Sequence, residues 1–194
     1  MAKDPKMSKW LATGKFNAKD EYYTPPCLVR ALLPFVPPYW RIWCPFDTEH
    51  SEFVTLLREH GNHVIHSHIW EGKDFFTYTP DEPFHAIISN QPFTRKMDVL
   101  KRLYEIGQPF AMVLGLPILN YQEVGEFFYE TAKDLHDIQL LIVDKKVSFD
   151  GKTASFNNSF FCRKMLPRDL IFAHLENNNT GKNFVGSRMA EDAK

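Results

Sequence analysis

Residues 84–93 read FHAIISNQPF. An apolar run, Ala86-Ile87-Ile88, passes through Ser89 and stops on two amides, Asn90 and Gln91, then Pro92 and Phe93. Thr94, Arg95 and Lys96 follow at once. An apolar run without polar alternation reads as a strand covered on both faces, the kind found in parallel sheets. Asn and Pro are common turn residues, so one reading of the run's end is a plain turn. The other is a pocket that grips a flat, amino-bearing ring.

The neighbouring segments extend the pattern. Upstream, RIWCPF (41–46) and HVIHSHI (63–69) read as strands around a helix in DTEHSEFVTLLREHG (47–61). In that helix Phe53, Leu56 and Leu57 share a face, and Gly61 is a natural stop. Downstream, residues 95–106 place Val99, Leu100, Leu103 and Ile106 on one helical face, before a strand in PFAMVLGLPIL (109–119) and a helix in YQEVGEFFYETAKDL (121–135). Thr24 is placed to cap a helix that starts on proline and runs through CLVRALLPFV. GKDFFTYTPDEP (72–83) reads as a loop. IQLLIVDKKVSF (138–149) and SFFCRKML (159–166) form a hairpin-like end. Strand–helix alternation of this kind predicts an α/β fold: a mostly parallel central sheet, helices on both faces and an antiparallel C-terminal hairpin. Residues 1–21 read as a mobile arm, 22–175 as the folded domain and 176–194 as a polar, frayed tail. Ligands of such sheets sit outside the carboxyl ends of the strands. The marked ends here are CPFD (44–47), HSH (66–68) and NQPF (90–93), which should meet along one edge.

With 194 residues, 44% of them hydrophobic, the chain can fill one sizeable core and leaves little room for a second domain. The formal net charge of −1 means that any nucleic-acid site has to be a local basic patch, for which Arg95, Lys96, Lys101 and Arg102 are the candidates beside NQPF. A solvated helix face explains them equally well. Cys27, Cys44 and Cys162 are widely spaced and match a reducing cytoplasm better than a disulfide scaffold. Cys44 and Cys162 read as small buried apolar side chains. The start lacks a signal-peptide core, and no apolar run nears the roughly 20 residues a membrane span needs. His66 and His68 share a spacing metals use, but no third ligand matches it, so no metal is expected. Dinucleotide, P-loop and nucleophile-elbow motifs are absent.

The order TPP (24–26), CPFD, GKDFF (72–76), NQPF resembles adenine-N6 methyltransferases that use S-adenosylmethionine, over roughly residues 22–165. The resemblance implies a Rossmann-like methyltransferase fold and a nucleic-acid substrate, DNA or RNA. It implies that Asn90 and the Gln91 carbonyl accept hydrogen bonds from the adenine amine, with Pro92 shaping the loop and Phe93 stacking on the base. Gln91 stands where the family has proline. The working group there is a main-chain carbonyl, which every residue has, so what is lost is the stiffness of a proline. On the cofactor side the resemblance implies Tyr23, Thr24 and Pro25 near the methionine end, Cys44, Pro45, Phe46 and Asp47 in the first loop, and Asp74 with Phe75 near the cofactor's adenine.

That side departs from the family pattern. Cys44 replaces an acid, Thr48 and His50 replace glycines that let the backbone approach a ligand closely, and His66-Ser67-His68 replaces an acid at the second strand's end. Asp47 or Glu49 is the available replacement for the first acid. Asp47 and Asp74 can equally cap neighbouring turns. A different class of reading therefore stands beside the first: a methyltransferase-like fold without catalysis that binds a nucleotide, a nucleic acid or a protein. Motifs this degenerate in a compact chain suit a protein of a phage or mobile element. The short chain also argues for a single-stranded or loosely specified substrate, or for a partner protein that supplies targeting.

Overall fold

In the computed structural model, residues 24–147, 149 and 158–175 are described. The predicted arm at 1–21, Tyr23 and the tail from 176 lie outside the described residues, as does most of the predicted hairpin's connection.

The elements follow the predicted order. They are α1 (Pro26–Leu32), β1 (Arg41–Cys44), α2 (Glu52–Glu59), β2 (His63–His66), β3 (Ala86–Asn90), α3 (Lys96–Ile106), β4 (Phe110–Gly115), α4 (Gln122–Thr131), β5 (Gln139–Val143), β6 (Asn158–Arg163) and β7 (Leu170–Ala173). They build one seven-stranded sheet in the order β2-β1-β3-β4-β6-β5-β7. β2, β1, β3 and β4 are mutually parallel. β6 runs antiparallel to both β4 and β5, and β7 is parallel to β5. The predicted hairpin-like end is thus the β5–β6 pair, extended by a further strand.

Both faces of the sheet are covered. Leu28, Val29 and Leu32 of α1 and Phe53 and Leu57 of α2 pack with Ile42, Ile88, Val113 and Phe160 on one face. Val99, Leu100 and Leu103 of α3 and Val124 of α4 pack with Trp43, Ile87, Met112 and Phe161 on the other. Ala86 to Ser89 are fully buried for that reason, which is why the run 86–89 shows no alternation of apolar and polar residues.

Helix ends differ in detail from the expectation. The N-cap of α1 is Pro25, with Pro26 as the first helical residue and no side-chain cap. Thr24 lies one residue outside and does not cap, because proline at the next two positions moves the cap forward. α2 starts at Glu52 after Ser51, not at Asp47. Gly61 adopts φ +99° just past the end of α2, as expected of a glycine stop.

Strand order places the ligand edge. From β1 the chain moves outward to β2, then crosses back to β3 on the other side of β1. This reversal opens a crevice between the carboxyl ends of β1 and β3.

Candidate functional site at the carboxyl edge of the sheet

Cys44 ends β1 and pairs with His66 at the end of β2, and Asn90 ends β3. The three marked segments therefore line one edge, as the sequence predicts. Ser67 N–H donates to the Cys44 carbonyl at 3.1 Å, and the Trp43 indole donates to Ser67 Oγ at 2.9 Å.

The loop after β1 turns Asp47 inward. Its Oδ2 accepts a hydrogen bond from the Ser89 hydroxyl in β3, across the reversal point. Asp47 is 6% exposed. Burial raises its carboxyl pKa to about 6, against the opposing pull of hydrogen bonds from Ser89 and Ser51 and the nearby His68. Asp47 is thus an acid three residues after Cys44, turned toward β3. Glu49, the other available acid, faces elsewhere: it pairs with Arg58 and with His66 Nε2 at 2.8 Å. Cys44 itself is buried, and burial next to Asp47 pushes its thiol well up, so it is not a nucleophile.

Asn90 is half-buried at the last position of β3, and Gln91 is 3% exposed. Neither Nε2 nor Oε1 of Gln91 has a hydrogen-bond partner among the described residues. Pro92 precedes a short 3-10 turn, Phe93–Arg95, that runs into α3.

The GKDFF segment reaches the same loop through Phe75, whose ring lies 4.9 Å from that of Phe46 and 5.5 Å from that of Trp43. Phe75 is 2% exposed and packs with these rings in the core beside the loop. Asp74 Oδ1 accepts the Phe76 N–H at 3.0 Å, so this acid holds its own turn. Thr24 and Pro25 are buried at the start of α1, which packs on α2 and β5.

The basic residues beside NQPF are engaged. Arg95 lies 3.7 Å over the Phe76 ring and donates to Asp98 at 2.9 Å, and Lys101 pairs with Glu123 at 3.2 Å. Such exposed pairs are worth at most about 1 kcal/mol each and yield readily to a phosphate. Lys96 opens α3 on the same side.

Sequence reasoning missed Ser89, whose signal is the one hydroxyl in an otherwise apolar run. It also missed Asn158 and Ser159 at the start of β6, both fully buried. Asn158 Nδ2 and Oδ1 and Ser159 Oγ have no hydrogen-bond partner among the described residues. Trp70, 58% exposed and packed at 4.6 Å against the His68 ring, stands beyond β2. Among the described residues no group of three or more His, Cys, Asp or Glu comes together to hold a metal, and no helix is long and apolar enough to cross a membrane. An open apolar groove lined by Pro34, Val36, Pro38, His60, Leu135 and Met165 lies at the opposite, amino edge, away from these polar groups.

No protein-family model matches the chain, and no curated protein matches it. Solved structures do. A Listeria monocytogenes protein assigned to the class I S-adenosylmethionine-dependent methyltransferases aligns with 84% of this chain and 68% of its own, at 9% identity and a TM-score of 0.50. The 23S rRNA methyltransferase ErmE aligns over 76% of this chain and 70% of its own, at 13% identity and a TM-score of 0.45. The M protein of the type I restriction enzyme EcoKI aligns over 83% of this chain and 47% of its own, at 11% identity and a TM-score of 0.49. The chain has the Rossmann-like fold of the class I methyltransferases.

Proposed function

We propose that the chain is an S-adenosylmethionine-dependent methyltransferase that acts on the N6 amine of adenine in nucleic acid. The observation that carries this reading is the place of Asn90-Gln91-Pro92-Phe93: immediately after β3, at the reversal of strand order, beside the buried Asp47–Ser89 pair. A turn needing only Asn and Pro has no use for a buried carboxylate at its side.

The residues present fit the cofactor. Asp47 is a buried acceptor with no salt bridge among the described residues, in the crevice that α/β folds use for nucleosides. Gln91, just past the end of β3, keeps a donor and an acceptor without a partner among the described residues. Residues 44–47 would hold the cofactor with Asp74 alongside, and Tyr23, Thr24 and Pro25 would close over its methionine end. When bound, S-adenosylmethionine supplies an electrophilic methyl group. The chain's own part is to hold and orient the amine. Asn90 Oδ1 and the Gln91 carbonyl accept its two N–H bonds, which strengthen as the nitrogen becomes cationic. Phe93 would stack on the ring, a contact worth about 1–3 kcal/mol. Arg95, Lys96 and Lys101 would exchange their present partners for phosphates. A duplex substrate has to flip its adenine out of the stack, at a cost of a few kcal/mol, so single-stranded DNA or RNA is the easier substrate. A partner protein would supply targeting, and the cytoplasm is the compartment this chemistry suits.

Transfer of tritium from labelled cofactor to single-stranded and duplex adenine oligonucleotides tests the reading. The expected product is N6-methyladenine after hydrolysis. A wild-type protein that binds the cofactor yet labels no oligonucleotide overturns it.

A second reading rests on the loop 48–50, which carries no glycine and is tied down through Glu49 to Arg58 and His66. In that reading the fold binds a nucleotide, nucleic acid or protein without catalysis. Calorimetry separates the two: no heat with S-adenosylmethionine or S-adenosylhomocysteine at millimolar concentration favours it. Asp74→Ala adds a cross-check. It should weaken cofactor binding and also cost about 1 kcal/mol of stability through the lost hydrogen bond to Phe76. Unchanged binding with lowered melting would assign Asp74 to the turn alone.

A further inference from the structure

Asn158 is the first residue of β6 and is fully buried, yet neither atom of its side-chain amide has a hydrogen-bond partner among the described residues. An orphaned buried amide atom is destabilising, so two on one side chain need a reason. Register shows where they face. Asn90 pairs with Val113, Val113 with Phe160, and Gly115 with Asn158. Residues paired across a ladder, and residues two apart on a strand, share a sheet face. Asn90 and Asn158 therefore stand on the same face of the same edge. They flank β4, and the β4 residue at Asn158's level is Gly115, which puts no side chain between them. Strands two apart lie about 10 Å apart, and Asn158 stands two residues, about 7 Å, further along β4 than Asn90, so about 12 Å separates their Cα atoms. Two hydrogen bonds of about 3 Å each leave room between the amides for one flat heterocycle.

We infer that Asn158 is a specificity-determining residue that hydrogen-bonds a ring nitrogen of the base whose amine is held at Asn90. This inference rests on the adenine reading of that site. An amide suits such a base because its N–H can donate to a ring nitrogen in the plane of the base, while the amine keeps both of its N–H bonds for Asn90 and the Gln91 carbonyl. Gln91, the residue after Asn90, is a second buried amide with both atoms unpartnered among the described residues.

The test compares single-stranded oligonucleotides with one target adenine replaced by 1-deaza-, 3-deaza- or 7-deazaadenine. Each analogue keeps the amine and loses one ring acceptor. Wild-type protein should lose about tenfold or more in kcat/KM with one of the three. Asn158→Leu should be poorer on adenine and should not distinguish that analogue from adenine. It should also melt at or above the wild-type temperature, since an unpartnered amide is exchanged for an apolar group of similar size. Asn158→Asp, which keeps the shape and loses the donor, provides the same comparison if the leucine variant does not fold. Equal wild-type rates on adenine and all three analogues overturn the inference while leaving the adenine reading intact. So does a penalty that persists in both variants. If no oligonucleotide is methylated at all, the adenine reading has failed; the same series is then read by fluorescence anisotropy, where wild-type binding indifferent to every ring acceptor overturns the inference.

Discussion

Asn90→Ala is expected to lower methyl transfer by about a hundredfold or more while cofactor affinity stays within a few-fold. The asymmetry follows from when the hydrogen bond matters. The amine is a weak donor when neutral and a strong one as its nitrogen becomes cationic, so the Asn90 acceptor stabilises the transition state more than the bound ground state. Only a group fixed in advance delivers that difference. Here it is fixed by position: Asn90 is the last residue of a strand whose preceding four residues are fully buried between two helical layers. Alanine leaves that strand unchanged, so melting should move little. Single-turnover transfer on a saturating oligonucleotide, with cofactor titrated by calorimetry, reads both quantities. Undiminished turnover would show that the amine is not held at Asn90. A parallel fall in turnover and melting temperature would assign Asn90 to the turn.

The fold was legible because its strongest segments have one interpretation. The run 86–89 is buried on both faces, and a strand buried on both faces belongs to a covered, parallel sheet. The helices around it carry apolar faces at 3.6-residue spacing and end on glycine, as Gly107 at φ +78° shows for α3. Cap positions were harder to read. Thr24, Asp47 and Ser51 are all good caps by type, and only the packed structure decides that Asp47 turns inward instead. β7 was also hard to read as a strand, because Leu170 and Phe172 are exposed on the outermost strand and give no burial signal.

The site was legible where it is contiguous. NQPF, CPFD and HSH announce themselves as polar endings of apolar runs, and topology brings them together. Its other half depends on residues far apart in sequence. Ser89 matters because Asp47, 42 positions earlier, accepts its hydroxyl. Asn158 draws attention because register sets it beside Gly115, two residues past Val113, the partner of Asn90. Phe75 stands in the sequence only as the neighbour of Asp74; that its ring packs against Phe46 and Trp43 is a fact of the folded chain. Gln91 drew notice for its carbonyl alone; that its side chain is buried and unpartnered is a fact of packing.

Asp47→Asn is expected to make the protein more stable above pH 7 and worse at binding its cofactor. The stability half follows from burial. In the folded chain the Asp47 carboxyl is raised from 3.8 to about 6, chiefly by desolvation. A raised acid binds its proton more tightly folded than unfolded, so ionisation works against the folded state. The wild-type protein should therefore lose stability from this group as pH rises from about 4 through 6, with the penalty complete above that. A shift of about two units corresponds to about 3 kcal/mol. Asparagine keeps an acceptor for Ser89 and does not titrate, so it removes the penalty at high pH and changes little near pH 4. For a chain of this length that is a rise of about 6–12 °C in melting temperature at pH 8. A fold that keeps so costly a carboxylate at its ligand edge gains something by it, and the binding half names the gain. The charged acceptor is worth more to a hydroxyl or amine donor than a neutral amide is, by about twofold in bond strength. Cofactor affinity should accordingly fall by about tenfold or more in the same variant that melts higher. Melting curves at pH 4.5 and pH 8, run beside calorimetry, separate the outcomes. A variant that melts lower at pH 8 would make Asp47 a structural hydrogen-bonding group. One that melts higher and binds equally well would leave the carboxylate without a ligand to explain it.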